Sequence, residues 1–303
     1  MSNERKPIVI LGPTASGKSD SAMSAAINNG NTEIVVCDAM QVYKRMDSGT
    51  AKPTLEDQQK VRHHCIDLVE PSARFTVSDY QIAARAAVAD IHARDKNALV
   101  VAGTGLYLTS LIDDLSFPGE WPEIRRELQE EPDVNTLYRR LKALDPVAAA
   151  NIERSNRRRI ERALEVCMGS GKPFSDNAPG TGAYPDNGVV QIGLLWPREV
   201  LVKRVAERVN AMLKWGFLDE VRDLRKNGNM SITAKQALGY AELLRHLEGK
   251  CTLEQAVGDI VIHTRQFAVR QERWFRRDPR ITWVNIEKNP VAEIGAVLAK
   301  HLN

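Results

Sequence analysis

The sequence predicts an α/β protein: a P-loop-type parallel sheet with flanking helices and a small helical insertion domain. Three observations carry this. Short apolar runs rich in β-branched residues alternate with helical stretches. The first run, at 8–11, leads straight into GPTASGKS at 12–19. The alternation lapses after Leu115 and resumes at Val189. Alternating strand and helix signals are the mark of βαβ units, and continuous apolar runs suit strands covered on both faces.

Strands are predicted at 8–11, 33–37, 98–102 and 189–196, with helix between several of them, as at 78–94. Pro118, Gly119, Trp121 and Pro122 then punctuate the chain. Helical pieces follow at 123–131, 134–144 and 156–168, and a loop rich in Gly, Pro, Asn and Asp at 171–188. An insertion spanning 118–186 is expected, leaving 1–117 and 187–303 as the core with its C-terminal helices. Val202, Val205, Val209 and Met212 form one helical apolar stripe, and Ile260, Phe267 and Trp274 recur every seventh residue on another helix. A short strand at 281–286 and a helix at 291–301 complete the pattern.

GPTASGKS matches G-x-x-x-x-G-K-[ST] at every fixed position. Such a loop turns backbone N–H groups toward an anion, and the helix that follows adds its positive end. Gly12, Pro13, Thr14, Ala15, Ser16, Gly17, Lys18 and Ser19 are therefore candidates for holding a polyphosphate or pyrophosphate. Lys18 would balance oxygen charge and Ser19 would offer its hydroxyl to Mg²⁺. The motif does not name the molecule that carries the phosphates. The strand at 98–102 ends in Gly103-Thr104-Gly105 and lacks the acidic residue that ATPases use for Mg²⁺. Asp38 is the carboxylate found at a strand's C-terminal end, the edge where open α/β sheets bind ligands. Asp38, Thr104 and the phosphate loop are expected to share one crevice.

Composition narrows the setting. Hydrophobic residues make up 43% and charged residues 27%, an ordinary globular balance. No apolar run approaches the ~20 residues needed to cross a bilayer, and the polar start MSNERKP suggests no signal peptide. Cys37, Cys65, Cys167 and Cys251 form no C-x-x-C pair, which argues for a reduced, cytoplasmic setting without structural zinc. Arginines cluster at Arg154, Arg157, Arg158, Arg159 and Arg162, and again from Arg265 to Arg280. A helical projection places Gln266, Arg270, Arg273 and Arg277 on one stripe, opposite Phe267 and Trp274. Such faces suit an RNA backbone, or equally a pair of solvated, salt-bridged helices.

Taken together, GPTASGKS, the segment from Asp38 through Met46 to Pro53, and AGTGLYL at 102–108 resemble the tRNA dimethylallyltransferases. The likeness continues through His63-His64, NRRRIERALEV at 156–166, Gly239-Tyr240 and TRQFAVRQERWFR at 264–276. Two departures are small: Ala102 replaces a usual glycine and Ala39 a usual serine. The zinc-finger cysteines of eukaryotic relatives are not seen, which is the bacterial pattern.

The resemblance implies transfer of a dimethylallyl group from dimethylallyl diphosphate to N6 of adenosine 37, in the anticodon loop of tRNA. It makes the loop the cradle of a leaving diphosphate with Mg²⁺ at Ser19, and adds Arg222 as a further diphosphate contact. It implies Asp38 as general base for the amine, aided by Thr104. It assigns tRNA contacts to Asp38, Ala39, Met40, Gln41 and Thr104; to Arg158, Arg159, Ile160, Glu161 and Arg162; to Gln236, Gly239 and Tyr240; and to Arg270, Gln271, Arg273 and Arg276. No membrane partner is expected, and a monomer is. On the residues alone, a small-molecule or nucleotide kinase and a non-catalytic RNA-binding protein remain open. His63 and His64, adjacent on a strand, point to opposite faces and suit packing or hydrogen bonding better than one metal.

Overall fold

A computed structural model describes residues 5–177, 182–228 and 230–302, so 178–181 of the predicted 171–188 loop lie outside the described residues. The chain begins with β1 (Ile8–Leu11), α1 (Lys18–Asn29), β2 (Thr32–Cys37), α2 (Leu55–Lys60) and β3 (His63–His64). Next come α3 (Val77–Ala93), β4 (Asn97–Ala102) and α4 (Gly105–Ile112). The helices α5 (Pro122–Glu130), α6 (Val134–Leu144), α7 (Pro146–Asn151) and α8 (Arg157–Ser170) follow. The rest is β5 (Val190–Leu195), α9 (Arg198–Lys214), α10 (Phe217–Lys226), α11 (Ile232–Lys235), α12 (Tyr240–Leu247), α13 (Leu253–Phe275), β6 (Ile281–Asn285) and α14 (Pro290–Leu302).

Two compact units result, one of Met1–Asp113 with Tyr184–Asn303, the other of Asp114–Ala183. The boundaries fall a few residues before those read from the sequence. At the return crossing the cause is visible. Arg280 donates to both Asp113 carboxylate oxygens at 2.6 and 2.8 Å and to the Pro185 carbonyl at 2.7 Å. Asn187 donates to the Ile112 carbonyl at 2.8 Å. These bonds tie residues 185–187 to the sheet-bearing unit, which composition does not reveal.

The six strands pair in the order β3-β2-β4-β1-β5-β6, all in parallel. β1, β2 and β4 are buried along their whole length, as their largely apolar sequences suit, with the polar Thr32, Glu33 and Asn97 at the starts of β2 and β4. One sheet face is covered by a cluster that includes Ala22, Ala26, Leu201, Val205, Ile294 and Leu298. The other is covered by Tyr80, Ala84, Ile91, Leu108 and Phe275. A third cluster, with Met46, Val209, Phe217, Val221, Tyr240 and Ile260, joins the C-terminal helices to the loop after β2.

Register positions the site. Leu11 and Cys37 both pair with Ala102, so the ends of β1, β4 and β2 lie level. Because the strands are parallel, the segments leaving them, from Gly12, Gly103 and Asp38, emerge side by side on one edge.

The 114–183 unit has its own core of Leu128, Leu137, Leu141, Ile160, Ala163 and Leu164. Inside it Glu165 accepts the Trp121 amide at 2.8 Å and pairs with Arg125 and Arg162. Burial opposes its charge, but the Trp121 N–H and the two arginines outweigh that and hold the carboxyl below its usual range.

Candidate active site

The phosphate loop owes its shape to two backbone features. Gly17 caps α1 with φ of 89°, and a Cβ there would lie 2.5 Å from Pro290 Cγ, so only glycine fits. Ala15 takes φ of 62°, a conformation rare for a residue with a side chain. The loop is braced from outside. Gln271 on α13 accepts the Thr14 amide at 2.8 Å and donates to the Gly103 carbonyl at 2.6 Å. Arg204 on α9 donates to the Ala15 carbonyl at 2.8 Å and lies over the Trp196 ring, whose indole N–H donates to the Ser16 carbonyl. The Ser16 amide turns inward to Pro13 at 3.3 Å. The first amides of α1 have no intrahelical acceptor by helix geometry, and no side chain caps them. The first amides of α1 are thus available to a ligand, whereas those of Thr14 and Ser16 are engaged within the protein.

Lys18, Asp38 and Arg208 stand together. Burial, then the charge of Arg208, pushes the Lys18 ammonium down to about 8, with Asp38 pulling the other way. Burial also lowers the Arg208 guanidinium, again opposed by Asp38. Arg208 Nε is shielded from solvent and has no hydrogen-bond partner among the described residues. Asp38 and, after it, Asp20 offset these two cations, yet burial lowers both groups despite them, so a further anion would be favourable there.

Asp38 Oδ1 accepts the amides of Met40 at 2.7 Å and Gln41 at 3.2 Å, which folds the loop after β2. Neither bond engages Oδ2. Thr104 begins α4 but its hydroxyl does not cap the helix. Both residues line one cavity of about 1740 Å³ together with Lys18, Ser19, Arg208 and Gln41. Thr14, Ala15, Gly17, Ala39 and Met40 also border it, as do Gln236, Tyr240, Arg270 and Gln271. Ser16 is fully buried, its hydroxyl unpartnered, while Gly12 and Pro13 support the turn from below.

Several expected contacts are placed otherwise. Arg222 lies half-exposed on α10, paired with Asp219 and outside the cavity; Arg208 holds the position by Lys18. The i, i+4 spacing of Arg204 and Arg208 along the Val205–Val209 stripe was the sequence signal for it. Gln271 is occupied at both ends by the backbone of the phosphate loop and Gly103. Tyr240 is buried and gives its hydroxyl to Glu220 at 2.5 Å, and Gly239 lies beneath it in the core. On α8, Ile160 is core, Glu161 pairs with Arg157, and Arg162 holds the carbonyls of Pro118 and Gly119, while Arg158 and Arg159 are exposed. Arg273 and Arg276 are exposed on or at the end of α13, Arg276 paired with Glu272. Arg270 does not oppose the aromatics: it lies over the Phe267 ring and lines the cavity beside Phe267 and Trp274.

His64 Nε2 donates to the Glu33 carboxylate at 2.7 Å, and His63 Nδ1 donates to the Val61 carbonyl at 2.7 Å, so each has a hydrogen-bonding role on its own face. Cys37 is pushed well up by burial and is no nucleophile.

Residues 41–278 match the family described as IPP transferase. The chain is 45% identical over 286 residues to a tRNA dimethylallyltransferase of Thermobifida fusca (strain YX), covering 91% of this chain and 89% of that protein. It is 43% identical over 284 residues to one from Paenarthrobacter aurescens (strain TC1), covering 92% and 91%. Among solved structures, the tRNA isopentenylpyrophosphate transferase of Bacillus halodurans superposes with a TM-score of 0.71 at 35% identity, over 99% of this chain and 97% of that one. A eukaryotic dimethylallyltransferase acting on tRNA gives 0.77 at 27% identity, over 93% and 74%.

Proposed function

The chain belongs to the IPP transferase family and is a prenyl transferase that modifies tRNA; on that premise we propose that it moves a dimethylallyl group from dimethylallyl diphosphate to N6 of adenosine 37. The observation that carries this reading is the meeting of Lys18, Arg208 and Asp38 in one cavity at three level strand ends. A cationic cradle suits a leaving diphosphate, and a carboxylate beside it suits an incoming amine.

In this reading the diphosphate rests on the first amides of α1, Lys18 and Arg208. The allylic C1–O bond breaks, the C1–N6 bond forms, and the N6 proton passes to Asp38 Oδ2. Negative charge grows on the diphosphate as the bond opens, so fixed donors aimed at it lower the barrier. Asp38 Oδ1 is held by two amides, which leaves Oδ2 as the oxygen that takes the proton. Thr104, its hydroxyl uncommitted to a cap, orients the amine. The adenosine must leave its stack to reach the cavity, at a cost of a few kcal/mol.

Mg²⁺ fits the donors here. The exposed Ser19 hydroxyl and diphosphate oxygens are hard ligands, and Mg²⁺ at phosphates keeps several waters rather than needing a protein cage. Bound there, it would neutralise part of the leaving group's charge, held by Ser19.

No helix among the described residues is long and apolar enough to cross a membrane.

The test incubates the protein with Mg²⁺, dimethylallyl diphosphate and unmodified tRNA carrying A37, followed by mass spectrometry of the digested RNA. An adenosine enlarged by C5H8 is expected. Unmodified tRNA, with ATP consumed on a small acceptor, would establish a kinase instead. Asp38→Ala should lower turnover by roughly 10²–10⁴, the range for a lost general base, with tRNA affinity changed far less.

A further inference from the structure

Glu220 stands on α10, outside the cavity wall, yet it gathers the wall's hydrogen bonds. Its Oε2 accepts the amides of Asp47 at 3.0 Å and Ser48 at 2.6 Å. Its Oε1 accepts the Gly49 amide at 3.3 Å and the Tyr240 hydroxyl at 2.5 Å. Three successive amides converging on one anion form a nest, here filled by the protein's own carboxylate. The loop so held, 47–50, lines the cavity.

The hydrogen bonds continue inward. Gln41 Nε2 donates to the Thr50 carbonyl at 3.1 Å, and the Gln41 amide donates to Asp38 Oδ1 at 3.2 Å. A continuous path therefore runs from Glu220 through the loop and Gln41 to the carboxylate beside Lys18. We infer that Glu220 is a positioning residue: by fixing the 47–50 loop it sets the aim of Asp38 at the substrate amine. This rests on the assignment of Asp38 made above.

Mere stabilisation of the loop is the competing account, and the loop's other anchor helps to separate the two. Lys52 donates to Asp47 and Asp67, each at 2.6 Å, and to the Tyr43 carbonyl at 2.9 Å. That end stays tied when Glu220 is changed, so the loop is expected to shift by a fraction of an ångström rather than unfold. Displacements of that size at a reacting group reduce rate by up to about 10².

The experiment measures single-turnover transfer to tRNA at saturating dimethylallyl diphosphate for Glu220→Gln, Asp38→Asn and the double variant, each with a thermal melt. Glu220→Gln is expected to slow transfer about 10–100-fold while KM for the diphosphate moves less than about 3-fold. If Glu220 acts through Asp38, the double variant is no slower than Asp38→Asn alone. Rate losses that multiply overturn the inference, as does an unchanged rate in Glu220→Gln. An unchanged rate in Asp38→Asn overturns the base assignment and this inference with it. A slow Asp38→Asn with multiplying losses removes only the coupling. Should Glu220→Gln melt early, the same cycle is run with Tyr240→Phe, which keeps the carboxylate and removes one bond; about a 3–10-fold loss is expected, one hydrogen bond's worth, absent in the Asp38→Asn background.

Discussion

Lys18 meets two opposed demands, since a buried ammonium is unfavourable without an anion and indispensable with one. Its value near 8 comes from burial and from Arg208. The free enzyme therefore loses this charge as pH rises through about 8, and kcat/KM for dimethylallyl diphosphate, which reports the free enzyme, should fall over that window. The sign for stability is the reverse. A lysine whose folded value lies below its unfolded 10.5 makes the folded state bind fewer protons between the two, so stability rises with pH across that range. Lys18→Met should accordingly raise the melting temperature of the ligand-free protein at pH 7 while abolishing diphosphate use. A variant that melts lower and still turns over would refute the cradle assignment. Arg208 and Arg222 give a paired comparison. Arg208→Ala should lower kcat/KM for the diphosphate by ~10²-fold, the scale of a lost transition-state donor. Arg222→Ala, exposed and paired only with Asp219, should leave kinetics within about 2-fold, since such surface pairs contribute little.

Helices α4 and α13 meet without a spacer. A Cβ at Gly105 would lie 2.0 Å from Trp274 Cδ1, inside any permitted contact. Trp274, the last of the heptad-spaced row, therefore seats the start of α4 beside Thr104. Gly105→Ala should destabilise by about 1–3 kcal/mol through overpacking, seen as a lower denaturant midpoint at unchanged slope. An unaltered midpoint would mean that Trp274 does not seat α4. Strand β2 shows the same dependence in another form. Glu33 is buried in it and is tolerated because Arg94, His64 and Lys96 all bond its carboxylate. The hydrogen bond from Arg94, above all, holds that carboxyl far below its ordinary 4.5. Its contribution is present above that value and fades as pH falls below it.

At the scale of the whole molecule, the arginines divide into structural and exposed. Arg157, Arg162 and Arg280 are fastened to carbonyls and carboxylates, whereas Arg158, Arg159, Arg270 and Arg273 are exposed. We propose that exposed arginines of this kind, Arg158 and Arg159 among them, meet an RNA backbone. Binding of tRNA should weaken with salt, each phosphate contact adding roughly 0.7–0.9 to the slope of log K against log salt. Arg158→Glu with Arg159→Glu should flatten that slope and weaken binding, leaving kcat at saturating tRNA near its original value. A slope unchanged by the pair would exclude this surface from the interface.

Much of this was legible in the residues themselves. GPTASGKS after an apolar run, Asp38 after the next strand and Gly103-Thr104 after a third are local signals, because strand propensity, glycine-dependent turns and strand-end chemistry act over a few neighbouring positions. The parallel sheet and the insertion followed from alternation and its interruption. What local pattern does not carry is which side chain fills a space left by distant elements. Arg208 rather than Arg222 beside Lys18, Gln271 as a strut between two loops, Tyr240 turned inward to Glu220, and the carboxylate nest over 47–49 were all decided by packing between segments far apart in the chain. Their cause is steric and electrostatic complementarity, which exists only once the sheet has brought those segments together.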